Sequence, residues 1–273
     1  MKKITLLVIS FLIYSNLCAN DRIIVLDVGE GQAVLLKQDN VGTLIDVGHP
    51  GMSARVLQQL MFYQVDDLAY IILTHLHSDH AGGYFRLREA FPDATILHSG
   101  HPLPDNVTPD LVRWVNLALK KDKKQKKILG GTEIRWQNFI LRFLWPYQFK
   151  SNNLNRHSLV IQIEIGQAKT LLMGDADKVV ERALLESGAI GPVHVLIAGH
   201  HGSSETGDIE FLKALAPEFS VVSVNANNIR GYPDAATLST LKRFSGKLLR
   251  TDQHGDICFD LNKTPGMPLQ LCK

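Results

Sequence analysis

The sequence predicts an α+β fold in which two β-sheets pack face to face with helices outside, an αββα four-layer sandwich. Two observations carry this. Short runs rich in Val, Ile and Leu alternate with helical stretches, and the scheme occurs in two successive strand-rich halves. In both halves, metal-ligand residue types stand directly after strands, where the sheet ends can meet along one edge. The 273 residues suffice for one large domain or two small ones. With 45% hydrophobic and 21% charged residues, a substantial core is available and wholesale disorder is excluded.

In the first half, residues 23–26, 33–37 and 43–46 read as consecutive strands joined by turns at 29–31 and 39–42. Residues 54–62 have helical spacing, with Val56, Leu57, Leu60 and Met61 on one side. A buried strand at 70–73 runs into a histidine cluster, a helix at 84–90 stops near Pro92, and 94–97 is a further strand. In the second half, 158–165 and 169–173 form a hairpin through Gly166, and 178–187 is a helix closed by Gly188. Strands at 193–197 and 219–224 alternate with helices at 209–215 and 237–244, and strands at 248–251 and 256–261 finish the pattern.

Lys2 and Lys3, the mostly apolar stretch 4–17 and the small residue Ala19 have the layout of a secretory signal peptide at 1–19. Residues 20–273 then form the mature domain, secreted or periplasmic and with no stable membrane association. Without Lys2 and Lys3 the 29 basic residues fall to 27, equal to the acids. Bulk charge therefore does not attract nucleic acid, and any such binding needs a local patch. Export permits disulfides. Strands at 256–261 and 268–272, joined by turn residues at 262–267 that include Pro265 and Gly266, would place Cys258 opposite Cys272 in a disulfide.

The most informative stretch is Thr74, His75, Leu76, His77, Ser78, Asp79 and His80, which puts four ligand-type side chains in six residues after an apolar strand. Imidazole nitrogen and carboxylate oxygen suit borderline-soft divalent metals. His75 and His77 can point together at one cation, and Asp79 and His80 at a second. Ala81, Gly82 and Gly83 leave the site unobstructed. Further ligands must come from downstream, where Gly174-Asp175 and Gly199-His200-His201-Gly202-Ser203 each end an apolar run.

These three motifs together resemble the metallo-β-lactamase superfamily. Within it the likeness is to the soluble C-terminal domain of ComEC-type competence proteins. Asp27 to Gly29, Asp46 to Gly48, Asn155 with Ser158, and Thr251-Asp252 with Gly255 extend it over residues 23–261. The resemblance implies the metallo-β-lactamase fold and two divalent ions, with zinc suited to the ligands and manganese or iron as alternatives. It assigns His75, His77 and a bridging Asp175 to the first ion, and Asp79, His80, Asp175 and His201 to the second. The third histidine of the first site is left open among His157, Asn155 and water. The groups assigned to catalysis are Asp79, His200 and Asp177, of which His200 or Asp177 would protonate the leaving group. Three departures touch substrate contacts: Glu30 and Gln32 exchange the family's acid and amide, Ile197 replaces a lysine, and Tyr232 replaces a histidine.

The resulting expectation is hydrolysis of a phosphodiester, DNA or a related substrate, by metal-activated water. Two alternatives stay open. One is a metallohydrolase acting on an ester, lactone, phosphorylcholine or β-lactam; the other is a catalytically weak DNA-binding module. Six lysines in 120–127 are either a phosphate-binding run or a solvated loop. His49, His98 and His101 read as loop residues, and His194 as a core histidine.

Overall fold

Side-chain alternation along the strands sorts this chain into layers. In the segment 22–25, Ile23 and Val25 enter one apolar cluster and Ile24 another. Further on, Leu172, Val195, Ile197 and Val221 join the first cluster, while Leu171, Leu196 and Val222 join a third. The first cluster thus lies between two sheets, and the other two lie under the helices. That is the αββα sandwich the sequence predicts. The computed structural model describes residues 21–103, 109–149, 151–261 and 269–272. The segment 1–19, expected to be a signal peptide, and the turn expected at 262–267 lie outside the described residues.

The first half contains β1 (Arg22–Val25), β2 (Val34–Gln38), β3 (Val41–Ile45), α1 (Ser53–Phe62), β4 (Asp67–Leu73), α2 (Ser78–Ala81), α3 (Tyr84–Ala90), β5 (Thr95–His98), α4 (Asp110–Lys121) and β6 (Gln125–Lys127). The remainder contains β7 (Glu133–Trp136), β8 (Phe139–Trp145), β9 (Val160–Ile165), β10 (Ala168–Leu172), α5 (Lys178–Glu186), β11 (Val195–Ile197) and α6 (Ile209–Leu215). After these come β12 (Phe219–Val222), α7 (Ala235–Phe244), β13 (Lys247–Arg250), α8 (Thr251–His254), β14 (Ile257–Asp260) and β15 (Gln270–Leu271). One sheet runs β15-β14-β1-β2-β3-β4-β5-β6 and the other β13-β12-β11-β10-β9-β8-β7.

Several expectations change. The strand expected at 256–261 is present at Ile257–Asp260, but it belongs to the first sheet although it ends the second half of the chain. As β14 it pairs antiparallel with β1, so the chain returns to the sheet in which it began. β15 pairs with β14, and Cys258 and Cys272 form a disulfide with Cα atoms 5.3 Å apart. Met61 is 75% exposed, because the buried stripe of α1 passes through Val56 and Leu60 and leaves Met61 a helical step outside it. The lysine run is not a loop: it spans the end of α4, a short turn and β6. His194 lies just before β11, half-buried, with Nδ1 accepting from the Lys169 amide at 3.0 Å. No helix among the described residues is long and apolar enough to cross a membrane.

β3 and β4 run parallel, as do β10, β11 and β12. Their C-terminal ends deliver Asp46, the 74–80 loop, Asp175 and the His200-His201 pair to one edge of the sandwich.

Candidate metal centre

The 74–80 loop is fixed from below by Asp46, which follows β3 in a left-handed conformation (φ 60°). Its carboxylate accepts from the Thr74 amide at 2.8 Å, the Thr74 hydroxyl at 2.8 Å and Gln32 Nε2 at 3.0 Å. The same carboxylate lies 2.7 Å from His80 Nδ1. Nδ1–H therefore donates to Asp46, and Nε2 is the nitrogen turned toward the cluster, a lone-pair donor once it gives up its proton. His75 is held one step further out, its Nδ1 lying 3.2 Å from the Thr74 hydroxyl oxygen. The loop preceding β2 presses against this segment from outside. Gln32 N donates to the Asp79 carbonyl at 3.1 Å, and a Cβ on Gly31 would stand 2.1 Å from that oxygen. Gly31 also has φ 117°, so glycine is required there twice over.

The other half comes from the second sheet. Asp175 follows Gly174 and has its amide bound to the Ser158 hydroxyl at 3.0 Å. His200 and His201 both adopt left-handed backbone, φ 44° and 52°, a strained arrangement for two successive non-glycine residues. His200 N donates to the Gly174 carbonyl at 3.0 Å, which ties the two turns together. His201 Nδ1 donates to the Ser223 carbonyl at 2.9 Å, again freeing Nε2.

The halves converge. Asp175 Oδ1 is 2.9 Å from His80 Nε2 and 3.6 Å from His201 Nε2; Oδ2 is 3.6 Å from His75 Nε2 and 3.8 Å from His200 Nε2. Asp79 Oδ2 lies 3.5 Å from His201 Nε2. Two groups could hold a metal ion: His75, His80 and Asp175, and Asp79, His80 and His201, all buried. His80 therefore stands with both groups, whereas the expectation placed it in the second alone. His77 joins neither group, although its Nδ1 comes within 3.1 Å of His75 Nε2.

Charge follows the same division. Burial, reinforced by His80, holds His75 far toward its neutral form, and burial does the same for His77. For His80 and His201 burial is outweighed by Asp175, with Asp46 adding to it for His80 and Asp79 for His201, so both bind a proton more tightly than usual. The Asp175 carboxyl, though buried, is kept ionised by His80 and His201. Its two oxygens are buried and accept from no backbone amide or hydroxyl; the close neighbours are imidazole nitrogens, with His80 Nε2 nearest at 2.9 Å. An ionised carboxylate in that position depends on those rings to offset its burial, and four imidazoles surround it. This set fits divalent cations, for which a bare carboxylate and lone-pair nitrogens are the appropriate ligands.

Two expected residues stand elsewhere. Asp177 caps α5, accepting from the Val179 and Val180 amides at 3.0 and 3.3 Å, and pairs with Arg156 at 2.6 Å. Its carboxylate is thereby committed to the helix and not to a leaving group. His157 is buried with both ring nitrogens unpartnered, facing His101 and Phe149 at ring distances of 5.3 and 5.1 Å, and joins neither ligand group. Asn155 instead reaches the site, with Nδ2 at 3.4 Å from His200 Nε2.

Sequence reasoning missed four contributors. Asp46 and Ser158 were legible only as pieces of motifs, without roles. Tyr232 places its hydroxyl 3.4 Å from His200 Nε2 and stacks on His201. Arg230 lies 3.1 Å from Asp79 Oδ2 and 3.5 Å from Glu30, so the shifted acid of the early loop faces a cation at the mouth of the site. Gln32, the other half of that exchange, binds Asp46.

Comparison with known proteins bears on the family and the fold. The chain is 26% identical to Recombination protein 2 of Haemophilus influenzae over 85% of its own length and 28% of that protein. It is 28% identical to Competence protein ComA of Neisseria gonorrhoeae, over 87% and 32% of the respective lengths. It thus spans about a third of these relatives. Among solved structures, the metallo-beta-lactamase fold protein YhfI of Bacillus subtilis superposes with a TM-score of 0.58 at 16% identity, over 85% of this chain and 96% of that one, which supports the fold. The Metallo-beta-lactamase superfamily family model matches residues 26–224, the stretch that carries every ligand named above, and the chain belongs to that superfamily.

Proposed function

We propose that this protein is an exported, metal-dependent hydrolase of phosphodiesters that works on DNA in the setting of DNA uptake. The observation that carries the reading is the buried Asp175 carboxylate, which meets no backbone or hydroxyl donor and is surrounded by the imidazoles of His75, His80, His200 and His201. Divalent cations held there would lower the pKa of a bound water and supply hydroxide near neutral pH. Asp46 and the Ser223 carbonyl keep His80 and His201 in the tautomer that offers Nε2. His200, bounded by Asn155 and Tyr232, is the group placed to hand a proton to the departing oxygen. Arg230 at the mouth offers a fixed cation to an anionic substrate.

The choice of DNA is supported by the likeness to competence proteins, and export by Lys2, Lys3, the apolar stretch 4–17 and the Cys258–Cys272 disulfide. The test is purified full-length protein, reconstituted with zinc or manganese, offered single-stranded DNA, duplex DNA and bis(4-nitrophenyl) phosphate. Turnover that a chelator abolishes is expected; none on any of the three would overturn the proposal. A second reading, a DNA-binding domain with weak turnover, is favoured by His157, which faces His101 and leaves the first position a ligand short. Such a domain retains its affinity for DNA under chelation and, once reconstituted with metal, hydrolyses DNA at best slowly.

A further inference from the structure

The lysine run acquires a setting that the metal centre does not use. A pocket of about 620 Å³ opens between the end of β5, one face of α4 and β6, lined among others by His98, His101, Arg113, Lys120, Gln125 and Lys127. Its volume is in the range of sites that enclose a small molecule or one unit of a polymer. Arg113, Asn116, Leu117 and Lys120 follow one another at helical spacing, so a single face of α4 forms one wall. Gln125 and Lys127 alternate on β6 to form another. Among the described residues, no carboxylate lines it. The remaining lysines of the run do not line it, and Lys124 is paired with Asp93 at 2.5 Å. The neutral overall charge of the mature chain therefore conceals a local concentration of cations.

The pocket wall is also linked to the metal centre through packed side chains. His101, at its inner end, is buried with Nε2 unpartnered, and its ring packs 5.3 Å from His157. His157 ends the short turn Asn155–His157, whose Asn155 touches His200 at 3.4 Å. On the outer side α4 exposes Leu117 (53%) and Trp114 (60%), an apolar flank of the kind on which bases stack. Trp136 cannot serve in that way, since it is buried against Phe139.

We propose that this pocket is the subsite that holds the phosphodiester backbone of a single-stranded nucleic acid beside the metal centre, with Lys120 and Lys127 neutralising its phosphates. The assignment rests on the phosphodiesterase reading above and sharpens it by placing the strand on the β5–α4–β6 side of the sandwich. Backbone phosphates are recognised there by charge, so the subsite tolerates any base sequence.

The experiment is a salt titration of binding under chelation, which keeps it independent of turnover. Full-length protein binds a fluorescent twelve-residue oligothymidylate, with thymidine monophosphate and polyglutamate as competitors. Lys120→Ala/Lys127→Ala is expected to weaken the oligonucleotide about tenfold at low salt. The slope of log affinity against log salt should fall by about 1.4, two contacts at about 0.7 each. Lys120→Arg/Lys127→Arg should restore both, and Lys123→Ala/Lys126→Ala, from the same run but outside the pocket, should change neither. If the two alanine pairs behave alike, the pocket is not the subsite. If the monophosphate or polyglutamate competes as well as the oligonucleotide does, the site is a general anion site and the strand assignment is overturned. Absence of hydrolysis in the separate turnover assay would sink the enzymatic reading and leave this comparison intact.

Discussion

The two halves of the metal centre are built by opposite means. The half carried by the first sheet is ordered through side chains: one buried carboxylate, Asp46, grips Thr74 and His80 directly and His75 through the Thr74 hydroxyl. The half carried by the second sheet is ordered through backbone. His200 and His201 sit in left-handed conformations held by the Gly174 and Ser223 carbonyls, and Asp175 is aimed by its amide on Ser158 while its carboxylate faces imidazole rings. The difference teaches where each half obtains its order. The first is set before any cation arrives, and the second holds a carboxylate balanced by imidazole protons that a cation would replace.

The largest expected effect follows from that charge. Asp175→Asn removes the only carboxylate that faces both ligand groups among the described residues, and chelator-sensitive turnover should vanish into background while the protein folds normally. Thermal melting would check the second part, and the variant should be no less stable than the metal-free parent. Asp46→Asn acts on the other half through orientation alone, so metal affinity should fall about 10- to 100-fold rather than disappear. A competition titration against a coloured chelator distinguishes the two losses.

Acid sharpens the contrast. His80 and His201 hold a proton unusually well in the metal-free protein, whereas His75 and His77 do not. Loading metal at neutral pH must expel protons from His80 and His201, and apparent affinity should fall as pH is lowered. Calorimetry in buffers of different ionisation enthalpy measures the protons released. A release of none would contradict the assignment of these two rings as ligands.

A smaller effect concerns how the second half is anchored. The carboxylate of Glu181 on α5 accepts the Gly207 and Asp208 amides at 3.0 and 2.7 Å, just beyond the histidine turn. Burial raises its pKa from 4.5 to about 7. An acid whose folded pKa is raised favours the folded state at low pH, and that contribution is lost as pH climbs from about 4.5 to about 7. The loss is roughly 3 kcal/mol at most. Glu181→Gln should flatten stability against pH across that window, which denaturant titration at several pH values would reveal.

Much of this was legible in the sequence, for a definite reason. Strand and helix periods are local, so α3 and α6 run where the pattern placed them, and a ligand motif confined to 74–80 or to 174–175 is visible as spacing. Relations between distant residues are not. Nothing in the spacing tells that Asp46 orients His80, 34 residues on, or that Arg230 faces Asp79. Asp177 misled because a carboxylate two residues from Asp175 is equally a helix cap. The pattern from α4 to β8 is harder to read in sequence, because lysines dominate its composition at 120–127. Yet Val112, Val115 and Leu119 form a helical stripe, and Phe139, Leu141 and Phe143 alternate as a buried strand.

The most direct measurement is the metal content of purified, reconstituted protein beside that of Asp175→Asn, by plasma mass spectrometry after exhaustive dialysis. Two ions per parent chain, and a clear loss in the variant, are expected. A parent chain that retains none, or a variant that keeps the parent's full complement, would contradict a centre organised around the Asp175 carboxylate.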